Sequence, residues 1–98
     1  MLKIGKSGAT VLVRIETPTG SSGVSTNVSL QPLTAAATSG AAVEIPGSSG
    51  RDLFIELRDE QFYLWIQGVG ANGWSILVPE QGLRDALGYR WCPEASFN

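Results

Sequence analysis

Histidine is absent from this 98-residue chain, and cysteine occurs once, at Cys92. Without histidine the commonest general base, the commonest metal ligand and the Ser-His and Cys-His nucleophilic pairs are excluded together. A lone cysteine closes no internal disulfide, and only Arg90 lies near it in sequence to activate the thiol, so Cys92 reads as an inert, partly buried side chain. Charge is scarce too: Asp, Glu, Lys and Arg make up 16% of the residues, and the net charge is −2. There is no broad basic field to attract nucleic acid or an anionic membrane. Apolar runs extend for only a few residues, far short of the ~20 that a membrane-spanning helix needs. No basic segment followed by an apolar one marks the start for export, and a cytoplasmic setting is expected. Asn27-Val28-Ser29 fits the glycosylation sequon, which has meaning only on a secretory route.

What is present is a regular pattern of large apolar side chains between Arg51 and Val78. Leu53, Ile55 and Leu57 alternate with Phe54, Glu56 and Arg58, and Phe62, Leu64 and Ile66 alternate with Tyr63, Trp65 and Gln67, the period of two expected of strands. With Asp59 and Glu60 as a two-residue turn, Leu57 faces Phe62, Ile55 faces Leu64 and Leu53 faces Ile66. One side of the ribbon is then wholly apolar. The other side pairs Arg58 with Gln61, Glu56 with Tyr63 and Phe54 with Trp65. A third strand, Trp74 to Val78, follows a glycine-rich turn in which Gly73 is expected to have positive φ. A three-residue loop, Gly70 to Asn72, puts Trp74, Ile76 and Val78 on the apolar side and is preferred over a two-residue loop, which would set them beside Tyr63 and Trp65.

Upstream, a strand is expected from about Thr10 to Glu16, with Gly5 to Gly8 separating it from Leu2 and Ile4. The turn formers from Thr17 to Gly23 then lead into a strand of alternating Val24, Thr26, Val28 and Leu30, making a second hairpin with one wet side. Thr34 to Ala42 carries both helix and loop signals and reads as irregular. Val43 to Ile45 is a short strand stopped by Pro46, and Gly47 to Gly50 is a flexible connection. Beyond Val78, Pro79 suits a first helical turn and Glu80 the positive end of the helix. Leu83, Ala86 and Leu87 form one stripe before Gly88 ends it. No repeat of 20 to 50 residues is evident, although the two hairpin units, unlike in sequence, hint at one. The tail holding Tyr89, Trp91 and Phe97 is rich in aromatics.

These elements predict a single β-dominated α+β domain over residues 1–98, a twisted antiparallel sheet or partly open small barrel of about six strands with one short C-terminal helix. Gly68, Gly70 and Gly73 match the G-x-G-x-x-G spacing, but that motif requires a helix next, and a strand is expected there. Gly5-Lys6-Ser7 lacks the earlier glycine of a phosphate-binding loop. No cofactor and no metal is called for.

Phe54, Tyr63 and Trp65 stand out because a single-layer sheet would expose them. The helix or the first hairpin could cover them, a second subunit could, or they could form a ligand or partner surface. Stacking on bases normally comes with surrounding Lys and Arg, and only Arg51 and Arg58 are near. A carboxylate beside aromatics, such as Glu56 opposite Tyr63, can hold a raised pKa and act as an acid or base; the plainer reading is a solvated strand residue. The leading expectation is a small non-catalytic binding or protein-interaction module that self-associates, with a dimer favoured. The ligand or partner surface is Phe54, Glu56, Tyr63 and Trp65. The alternative is a small enzyme or small-ligand-binding protein with a pocket lined by Glu56, Tyr63 and Trp65.

Overall fold

The computed structural model describes residues 1–68, 73–88 and 95–97. Its strands are β1 (Leu2–Ser7), β2 (Thr10–Glu16), β3 (Gly23–Ser29), β4 (Val43–Ile45), β5 (Leu53–Arg58), β6 (Gln61–Gln67), β7 (Gly73–Pro79) and β8 (Ala95–Phe97). Its helices are α1 (Leu30–Ser39) and α2 (Glu80–Gly88), with a short 3-10 turn at Ser48–Gly50. The strands form two antiparallel sheets of four, in the orders β3-β2-β1-β8 and β4-β5-β6-β7, and neither sheet closes into a barrel. The fold is the β-dominated α+β arrangement read from the sequence, with two more strands and one more helix.

The central hairpin has the register set by its alternation: Leu53 lies opposite Ile66, Ile55 opposite Leu64 and Leu57 opposite Phe62. Its two-residue turn places Asp59 at φ 47° and Glu60 at φ 67°, a left-handed conformation that matches strand twist but disfavours non-glycine residues. Trp74, Ile76 and Val78 join the inner side, opposite Ile66, Leu64 and Phe62. The ladder closes at Gln67 and Gly73, so five residues, 68 to 72, connect the strands rather than three. Both lengths are odd, and that parity keeps the apolar faces together. Of that loop, residues 69–72 lie outside the described residues, as do Tyr89, Trp91 and Cys92.

The segment expected to be irregular belongs largely to α1. Pro32 falls within the first turn, where a missing N–H costs nothing. Leu33, Ala36 and Ala37 make a buried stripe at helical spacing, and Gly40 ends the helix at φ 75° with its N–H bonded to the Ala36 carbonyl. Leu30, expected to end a strand, is instead the first helical residue. Helix α2 repeats the design with Leu83, Ala86 and Leu87 buried. Arg84 donates from Nε to the Ala37 carbonyl at 2.8 Å, tying the two helices together.

The chain is built twice on one plan. Strand, strand, strand, helix, strand occurs over β1 to β4 and again over β5 to β8, each element recurring about 50 positions later. Matching backbone bonds recur as well: Glu16 N–H to Met1 carbonyl (2.9 Å) with Gln67 N–H to Asp52 carbonyl (3.4 Å). Likewise Leu30 N–H donates to the Ala9 carbonyl (2.7 Å), and Glu80 N–H to that of Glu60 (3.1 Å). Each half lends its last strand to the other's sheet, since β4 pairs with β5 and β8 with β1. This corrects the expectation of no repeat. What the halves share is mainly their inner hydrophobic positions, and identity of residues is not needed to preserve them. The matched inner residues, including Val13 with Leu64, Ile15 with Ile66 and Leu33 with Leu83, belong to one buried cluster.

Candidate functional site: the outer face of the second sheet

Every strand of the β4-β5-β6-β7 sheet turns alternate side chains away from the core. The two central rows across the sheet are Glu44-Phe54-Trp65-Ser75 and Glu56-Tyr63-Leu77. All four residues singled out from the sequence, Phe54, Glu56, Tyr63 and Trp65, are therefore on one surface and in direct cross-strand contact. Each is half-buried, whereas their inner neighbours Leu53, Ile55, Phe62, Leu64 and Ile66 are fully buried. The first hairpin and the helices pack on the inner side, and they do not bury this face.

The Phe54 and Tyr63 rings meet edge to face, with centroids 6.1 Å apart and planes at 66°. The Arg58 guanidinium lies over the Tyr63 ring at 4.0 Å and also pairs with the Glu56 carboxylate. Cation, ring and carboxylate thus hold one another in place on the sheet surface. Glu56 is engaged as an ion-pair partner. Trp65 lies over Gly73, where any Cβ would run into the indole. That explains the glycine, and it corrects the expectation of positive φ: Gly73 is an extended residue of β7 paired with Gln67. Because β7 begins there, the G-x-G-x-x-G match leads into a strand and offers no helix N-terminus for a phosphate.

Leu77 was not singled out from the sequence, yet it is 48% exposed beside Tyr63 and completes the apolar surface. Its signal was present: successive side chains of a strand face opposite sides, so inward Ile76 and Val78 force Leu77 outward. Arg58 was placed on this face and near the aromatics from the sequence, but its position over Tyr63 depends on side-chain conformation.

Two concavities lie elsewhere. One, of about 320 Å³, is between the helices and is lined by Thr34, Ala37, Thr38, Arg84 and Leu87. The other, of about 240 Å³, lies between the sheets and is lined by Arg14, Gly23, Val24, Ser25, Arg51, Gly68 and Trp74. Neither includes Phe54, Glu56, Tyr63 or Trp65. Among the described residues no cluster of Cys, Asp and Glu is arranged to hold a metal ion. Also among them, no helix is long and apolar enough to cross a membrane. Comparison with protein-family models, with curated proteins and with solved structures finds no match.

Proposed function

We propose that this protein is a small non-catalytic interaction module that self-associates as a dimer through the aromatic surface of its second sheet or the edge beside it. The observation that carries the reading is the open apolar surface of Phe54, Tyr63, Trp65 and Leu77, set on a sheet whose other side packs on the core except towards the β7 edge. Large aromatics ordered before binding lose little conformational freedom on contact, and each can bury ~150 to 250 Å². Charges of both signs, Glu44, Glu56 and Arg58, border the patch, so a twofold pairing can set unlike charges against each other. The net charge of −2 opposes such a pairing little. A single cysteine is in keeping with a cytoplasmic setting.

Sedimentation equilibrium of the wild type and of Trp65→Ser tests this. The wild type is expected to show a concentration-dependent dimer, and Trp65→Ser to remain folded while associating at least tenfold more weakly. A wild type that stays monomeric at millimolar concentration overturns the reading.

A further inference from the structure

The two sheets end differently, and the repeat makes the difference legible. Strands β3 and β7 occupy matching edge positions in their sheets. In the second sheet, Gln61 stands opposite Pro79 and Glu80 N–H bonds to the Glu60 carbonyl. That pattern makes Gln61 and Pro79 a non-hydrogen-bonded pair, so the backbone N–H and C=O of Ser75 and Leu77 point away from β6. The same reasoning, from Thr10 opposite Ser29 and Leu30 N–H on the Ala9 carbonyl, turns the backbone of Ser25 and Asn27 outward on β3.

On β3 this edge is partly closed by the connection that follows β4. Asn27 N–H donates to Ser48 Oγ at 3.0 Å, and the Thr26 hydroxyl donates to the Arg51 carbonyl at 2.6 Å. The 3-10 turn of the interhalf connection lies along the strand. On β7 no such bond closes the N–H of Ser75 or Leu77 among the described residues. The core behind the two edges differs accordingly: Val24 is 5% exposed and Thr26 1%, while their counterparts Trp74 and Ile76 remain half-exposed. An edge strand of seven residues, GWSILVP, carries no charge anywhere along it, and only Pro79 at its end is among the usual devices that keep a sheet edge solitary.

We propose that β7 pairs antiparallel with β7 of a second copy, about a twofold near Ser75 and Ile76, joining two four-stranded sheets into one of eight strands. This rests on the self-association proposed above and gives it a geometry. A strand without charge meets its own copy with no like-charge repulsion, and the joint shields Trp74 and Ile76 on the inner side. On the outer side it makes the two aromatic surfaces continuous, with a Leu77 from each copy at the seam.

Amide hydrogen exchange measured across a hundredfold range of protein concentration, with sedimentation of edge variants, tests the pairing. The Ser75 and Leu77 amides are expected to become at least tenfold better protected as concentration rises. Leu77→Pro removes an outward N–H together with the exposed Leu77 side chain, leaves the ladder to β6 intact, and is expected to give a folded monomer. Should that chain fail to fold, Ser75→Lys provides the same test by placing like charges across the twofold. A dimer in which both amides exchange equally fast at all concentrations overturns the edge pairing and leaves association through the aromatic face standing. A wild type monomeric at every concentration overturns both.

Discussion

The two halves of this chain share their inside and differ in their outside. On the outer face of the first sheet the rows read Lys3-Arg14-Ser25 and Gly5-Leu12-Asn27, where the second sheet has Phe54-Trp65-Ser75 and Glu56-Tyr63-Leu77. Leu12 is the one large apolar side chain of the first set, 40% exposed. Arg14 stands where the other half has Trp65, and with Lys3 it holds the Glu16 carboxylate at 2.7 Å and 3.1 Å. A polar, ion-paired surface needs no cover, whereas an aromatic one gains by finding it. Residues that preserve the fold are thus distinct from those that give one half its outward aromatic surface.

The strongest way to break the equivalence of the interiors is to empty one of them. Leu64 is fully buried at the middle of its sheet, opposite both Ile55 and Ile76. Leu64→Ala is expected to cost ~2 to 5 kcal/mol in denaturant unfolding, by lost transfer energy and the cavity left behind. A loss below about 1 kcal/mol would mean that the core does not depend on the second sheet's inner row.

A sharper contrast comes from the glycines that open β3 and β7. A Cβ on Gly23 would meet the Ile15 carbonyl oxygen and the Glu16 Cβ, both at 2.7 Å, so its neighbours are fixed by the backbone. For a Cβ on Gly73 the nearest atoms are those of the Trp65 indole, a side chain. Gly73→Ala is therefore expected to cost about 1 to 3 kcal/mol by overpacking. Adding Trp65→Ser should relieve most of that loss, whereas Arg14→Ser should relieve little of Gly23→Ala. Thermal unfolding of the two double-mutant cycles decides it. Additive costs at Gly73 and Trp65 would show that the indole does not impose the glycine.

The central hairpin was legible residue by residue because alternation leaves only one register that keeps six apolar side chains on one side. The same local signal located β2, β3, β4 and α2. Helix α1 was obscured by its small residues, since alanine and threonine carry little hydrophobic periodicity, although Leu33, Ala36 and Ala37 repeat the spacing of Leu83, Ala86 and Leu87. The exchange of β4 and β8 between sheets leaves no local trace, because each is only three residues long and its partner lies in the other half. The candidate surface was readable as a face, from Phe54, Glu56, Tyr63 and Trp65. Whether sheet or helix covered it depended on the packing of two layers, which strand alternation does not specify.

The smallest expected effect concerns acid, and it applies to the first half alone. Glu16 accepts a hydrogen bond from Arg14 and another from Lys3, and these bonds, opposed by burial, hold its carboxyl below its usual pKa of 4.5. Its counterpart Gln67 does not titrate. A carboxylate with a lowered folded-state pKa contributes stability that is present at neutral pH, above the unfolded pKa, and is lost as pH falls through the folded value. Stability should accordingly decline from about pH 5 downward in the wild type, in part through this residue. Glu16→Gln copies the residue at the matching position, so the chain should still fold, and its unfolding temperature should fall less steeply between pH 5 and 2 than that of the wild type. Identical slopes would show that the Lys3-Glu16-Arg14 cluster adds nothing to the stability of the polar face. Glu16→Gln should leave the dimer constant at neutral pH unchanged, because the polar face takes no part in the proposed contact.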